Sequence, residues 1–177
     1  MKKKIVATIS LVAMLAVIGC KGEEKEVHDL SINVNEVKAD SKEEAEEVKS
    51  VDASQIAKNL AEEITYEDQL SSVDLDTAKM FLNLADVEVT ESYFYESSGA
   101  TAEEIVVLVC KDSDSAAKAK VAFEQRVEEQ TENFTDYVPK EVPKLKDAVI
   151  ITSKEYAILS VSGDSSKAKD IIESALR

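Results

Sequence analysis

The chain has 177 residues, 36 of them acidic against 21 basic, and a formal net charge of −15. A polyanion of this kind repels nucleic acid and the anionic head groups of a membrane, which excludes both as electrostatic partners. One histidine and two cysteines leave little material for histidine-based catalysis or a disulfide framework.

Lys2-Lys3-Lys4 open the chain, an apolar run of 14 residues follows from Ile5 to Ile18, and Gly19-Cys20 comes next. A basic start, a short apolar middle and a small residue at the end describe a secretory signal peptide. The run falls short of the about 20 apolar residues that a membrane-spanning helix needs. Val17-Ile18-Gly19-Cys20 resembles a bacterial lipobox. That resemblance implies cleavage between Gly19 and Cys20 and a diacylglyceryl thioether on Cys20. Residues 1–19 are therefore expected to be removed, leaving the chain lipid-anchored on the extracytoplasmic face of the cell membrane. Each buried CH₂ contributes about 0.8 kcal/mol, so two acyl chains hold where one exchanges. Loss of Lys2, Lys3 and Lys4 takes the formal charge from −15 to −18, so the lipid, not charge, supplies the attachment.

Residues 20–51 are rich in charge and poor in aromatics, as in Lys42-Glu43-Glu44-Ala45-Glu46-Glu47. Such a segment buries too little apolar area to offset its ordering entropy and reads as a disordered acidic spacer. His28 lies in it, with no second metal ligand at helical or loop spacing.

A globular domain is expected over residues 52–177. Asp52 and Gln55 fit a capping box, Val51 and Ile56 a hydrophobic staple, and Ala53, Ile56, Ala57, Leu60 and Ile64 recur at helical spacing. A polar stretch over 65–70 separates this helix from a short one that begins near Asp74 or Asp76. Alternation over Val87–Tyr95 predicts a strand, and Ser97-Ser98-Gly99-Ala100 a turn. Ile105–Cys110 lacks polar alternation and predicts a central strand covered on both faces. Cys110 ends it as a small buried hydrophobe. Asp112 or Ser113 caps a long helix that runs to about Thr131. Pro139 and Pro143 bracket a loop, and 148–151 and 156–161 form a hairpin across Ser153-Lys154-Glu155. Asp164 or Ser165 caps a last helix. The expected order is α-α-β-β-α-β-β-α: an α+β, two-layer domain with a four-stranded, mainly antiparallel sheet.

Three stretches resemble DUF4358, a bacterial domain family of unknown function. They are Ser97 to Glu104, Phe134-Thr135-Asp136-Tyr137-Val138-Pro139 and Glu141-Val142-Pro143-Lys144-Leu145. The strand that starts at Tyr156 fits as well, and the resemblance spans roughly 54–176. Family members look like small lipoproteins of Gram-positive bacteria. The hairpin turn departs from the pattern: a glycine is expected where Ser153-Lys154-Glu155 stands. The resemblance implies location and fold and carries no activity.

Candidate chemistry is sparse. Asp112-Ser113-Asp114-Ser115 alternates carboxylates without the glycine and late glutamate of a calcium loop, and reads as a helix cap. Glu103-Glu104 and Glu62-Glu63 are adjacent carboxylates; neighbours on a strand point to opposite faces and make a poor acid–base pair, and both pairs read as solvated faces. Tyr93 and Tyr95 share a strand face and are candidates to line a ligand groove, against the plainer reading of a half-buried sheet face. Arg126, the one arginine before the C-terminal Arg177, is either an anion anchor or an exposed helix charge near Glu129. No catalytic residue, metal ligand or cofactor motif emerges. The sequence thus predicts a membrane-anchored extracytoplasmic lipoprotein with a small non-catalytic binding or interaction domain, an envelope protein being a possible partner. The alternative is a cell-envelope enzyme using carboxylates or an oxygen-liganded metal.

Overall fold

Four aspartates start four of the helices. In the computed structural model, which describes residues 51–177, Asp52, Asp74, Asp112 and Asp164 accept hydrogen bonds from the amides of Gln55 (3.1 Å), Thr77 (3.0 Å), Ser115 (2.8 Å) and Lys167 (3.0 Å). Each carboxylate satisfies an amide that the first helical turn leaves without a partner. The helices are α1 (Ala53–Glu63), α2 (Leu75–Phe81), α3 (Ser113–Tyr137) and, after two further strands, α5 (Ser165–Ala175); α4 (Val142–Lys146) follows a 3₁₀ turn at Pro139–Glu141. Only half of the expected capping box at α1 forms, since the Gln55 side chain bonds Asn59 rather than reaching back.

The strands are β1 (Ser71–Val73), β2 (Val89–Glu96), β3 (Glu104–Cys110), β4 (Val149–Ser153) and β5 (Tyr156–Val161). They pair in the order β1-β2-β3-β5-β4, every pair antiparallel. The class is α+β, as expected, with five strands rather than four. The additional strand, β1, has only three residues and too little alternation to read. It exists because Ser71, Ser72 and Val73 pair with Glu96, Tyr95 and Phe94.

The layering also differs from expectation. Side chains alternate across β3: Val106, Leu108 and Cys110 join α2, α3 and α4 in one apolar cluster, while Ile105 and Val107 join α1 and α5 in a second. Helices cover both faces of the sheet, giving three layers where two were predicted. The continuous apolar run of β3 already required this, because both of its faces need cover.

Two local expectations are corrected. Helix α3 runs six residues past Thr131 because buried Phe134 anchors its last turns against the first cluster. Pro143 lies in the first turn of α4 rather than bounding a loop, since a proline there gives up an amide that the helix does not use. At the β4–β5 hairpin, the two-residue loop places Lys154 at φ 52°, the left-handed conformation that suits glycine.

Candidate functional site

Glu104 opens β3 and Glu103 directly precedes it; both are buried, not solvated. As strand neighbours their side chains diverge. The Glu103 carboxylate accepts from the amides of Glu67 (2.9 and 3.1 Å) and Asp68 (3.1 Å), from the Thr101 hydroxyl (3.0 Å) and from Lys144 Nζ (3.0 Å). It ties the segment after α1 to the start of β3 and to α4. Lys144 Nζ also meets Glu67 Oε1 at 2.8 Å and Glu141 Oε2 at 3.0 Å, and Glu141 Oε2 accepts from the Ala102 amide at 3.1 Å. Burial works against the charge on Lys144, but bonds to Glu67, Glu141 and Glu103 outweigh it and hold its pKa above the ordinary lysine value.

Glu104 belongs to a second network. Its Oε2 accepts from Arg126 Nε (3.3 Å) and Nη2 (3.0 Å), and Nη2 also donates to Glu96 Oε1 at 2.6 Å. With its amide turned to present oxygen, Gln130 accepts from Arg126 Nη1 at 2.9 Å. The guanidinium is therefore largely buried and paired with two carboxylates rather than an exposed helix charge. Glu104 Oε1 is buried and has no partner. Burial pushes the Glu104 carboxyl above the usual carboxylate range, and Arg126 offsets this only in part.

Beside these groups lies a cavity of about 210 Å³, walled by Glu96, Thr101, Glu104, Arg126, Gln130 and Phe134 among others. The three stretches that carry the resemblance to DUF4358 meet here: Ser97–Glu104 supplies one wall, Phe134 another, and Glu141 and Lys144 buttress Glu103 behind it.

The profile of DUF4358, a domain of unknown function, matches residues 62–162. The chain belongs to this family. No curated protein and no solved structure matches it. The DUF4358 match is narrower than the 54–176 expected. It takes in all five strands, α2 to α4 and both charge networks, but only the last residues of α1 and none of α5. The DUF4358 core is thus the sheet with the α3 side and its cavity.

Of the residues singled out in the sequence, Gly19, Cys20 and His28 lie outside the described residues. Tyr93 and Tyr95 are half-buried against the α1 and α5 cluster, and the Tyr93 hydroxyl donates to Glu91 at 3.2 Å. Arg126 lies across the sheet from them, on α3, so the three do not form one surface. Of the groups that converge instead, Glu104 ends and Phe134 opens a stretch of the DUF4358 resemblance, while Glu96 and Gln130 carry no motif. A further sequence signal was the pair of glutamates at the start of the most apolar strand, a place where a solvated face is hard to build.

Proposed function

We propose that this DUF4358 protein is a lipoprotein anchored through Cys20 on the extracytoplasmic face of the cell membrane, and that its domain binds a small ligand or ligand group in the cavity at the β2–β3 turn. The observation that carries the binding reading is the cavity itself: a walled recess lined by a buried ion pair whose Glu104 keeps one carboxylate oxygen without a partner. Unpartnered buried acceptors are costly, and they are kept where a ligand or water completes them. The address rests on the signal-peptide pattern and the lipobox-like ending at Cys20. Among the described residues no helix is long and apolar enough to cross a membrane, so attachment of this domain falls to the N-terminal segment.

Two measurements test the reading. Metabolic labelling with a fatty-acid analogue should mark the wild-type chain in the membrane fraction and leave Cys20→Ala unlabelled and released; equal labelling of both refutes the anchor. Melting of the intact protein against a panel of small envelope and growth-medium compounds should reveal a ligand that raises the melting temperature. The absence of any such compound counts against the binding site. One observation favours the enzyme alternative: Glu104, its pKa raised by burial, stands beside the more exposed Glu96 on the shared guanidinium, and two carboxyls in unlike environments serve acid–base chemistry. Turnover of a wall-derived substrate that is lost in Glu104→Gln would select it.

A further inference from the structure

We propose that the cavity takes a primary ammonium group on a short alkyl chain, seated on Glu104 Oε1 with its chain along Phe134. This rests on the reading of the cavity as a binding site and specifies its ligand.

Charge decides the class. Two carboxylates, Glu96 and Glu104, share one guanidinium, at 2.6 and 3.0 Å from the same Arg126 nitrogen. Arg126 already pairs with both glutamates and meets Gln130, so one guanidinium stands against two carboxylates and an incoming anion meets the excess negative charge. A cation completes the pairing. Hydrogen bonding decides the position. Glu104 is 2 % exposed, lines the cavity, and leaves Oε1 without a partner. An N–H donor satisfies that oxygen with a charge-assisted bond; a quaternary ammonium cannot donate. Volume and lining decide the rest. About 210 Å³ holds a small group, and buried Phe134 supplies an apolar wall. A divalent metal is the weaker fit, since it needs several converging oxygen ligands and no group of three or more metal-ligating side chains occurs among the described residues.

The test is calorimetric titration and thermal melting of the intact protein in neutral detergent with n-butylammonium, tetramethylammonium, butyrate or calcium. Butylammonium is expected to bind and raise the melting temperature, and the other three to leave it unchanged. Glu104→Gln, which keeps the shape but removes the carboxylate, is expected to weaken butylammonium by about ten-fold or more. Should that variant fail to fold, Glu96→Gln decides by the same readout, since Glu96 is partly exposed and its loss removes the excess negative charge. Tighter binding of butyrate, tetramethylammonium or calcium than of butylammonium overturns the ammonium assignment while leaving a binding site in place. Equal butylammonium affinity in wild type and the glutamine variants overturns it too. Silence from all four probes and from the wider compound panel removes the binding site itself.

Discussion

Lys144 shows how much one side chain does here. It is 11 % exposed and meets Glu67, Glu103 and Glu141 within 2.8 to 3.0 Å, and the last two carboxylates are essentially inaccessible. Removing one partner of a buried pair strands the charge that remains. Lys144→Ala is therefore expected to cost about 3–5 kcal/mol in urea unfolding, and Lys144→Met, which keeps the alkyl volume, nearly as much. A loss confined to the alanine variant would mean that packing, not charge, is what Lys144 provides. Cys110 behaves oppositely. Its thiol is buried at the end of β3, and burial, helped by Asp112, pushes its pKa up to about 11. Thiolate is the reactive form, so a thiol reagent at neutral pH should label Cys110 only after denaturation. Labelling of the native protein at the denatured rate would show that β3 opens readily. The burial of Cys110 was legible, because it ends an apolar run. The role of Lys144 was not, since a lysine two residues into a proline-led helix looks like any exposed cation.

At the scale of elements, caps and periodicity were the readable features. The aspartates at 52, 74, 112 and 164 mark helix starts because a short acceptor before a periodic run has a local purpose that needs no tertiary partner. What depended on neighbours was missed: β1 exists only as a partner for β2, and the last six residues of α3 are held by Phe134 against the sheet. The β4–β5 turn lies between these cases. A glycine was expected, and Lys154 at φ 52° occupies the conformation that glycine adopts freely. A left-handed L residue costs about 1–2 kcal/mol, and glycine's larger unfolded-state freedom takes back part of that. Lys154→Gly is expected to raise the urea midpoint, a gain of about 0.5 kcal/mol. A lower midpoint would show that the lysine side chain contributes something the turn geometry does not reveal.

For the whole molecule, charge sets the response to pH. Asp52, Glu67, Asp68, Asp74 and Asp112 have pKa values held below the ordinary carboxylate range, chiefly by hydrogen bonds from Ser54, Lys144, Ser98, Thr77 and Ser115 respectively. The unfolded chain takes up protons at these groups first, so their stabilisation is complete above about pH 4 and fades as the pH falls through the folded values. Glu104 has the opposite sign: its raised pKa means that the folded state prefers its acid form, so stability drops as the pH rises through that value. Urea midpoints should therefore peak at weakly acidic pH, above about 4, and Glu104→Gln should flatten the alkaline side of the peak. A profile still rising through neutrality would contradict the burial of Glu104 as a carboxylate. The sequence by itself determined the class of the domain, the starts of four of its five α-helices, its buried central strand and the membership that its motifs announced, because capping and hydrophobic period act over a few residues. Only the tertiary structure decided that the sheet has a fifth strand and helices on both faces, and that Glu96, Glu104 and Arg126, 30 and 22 residues apart in sequence, close on one another beside a cavity. Those contacts are set by where elements pack, and no local pattern encodes a partner on another element.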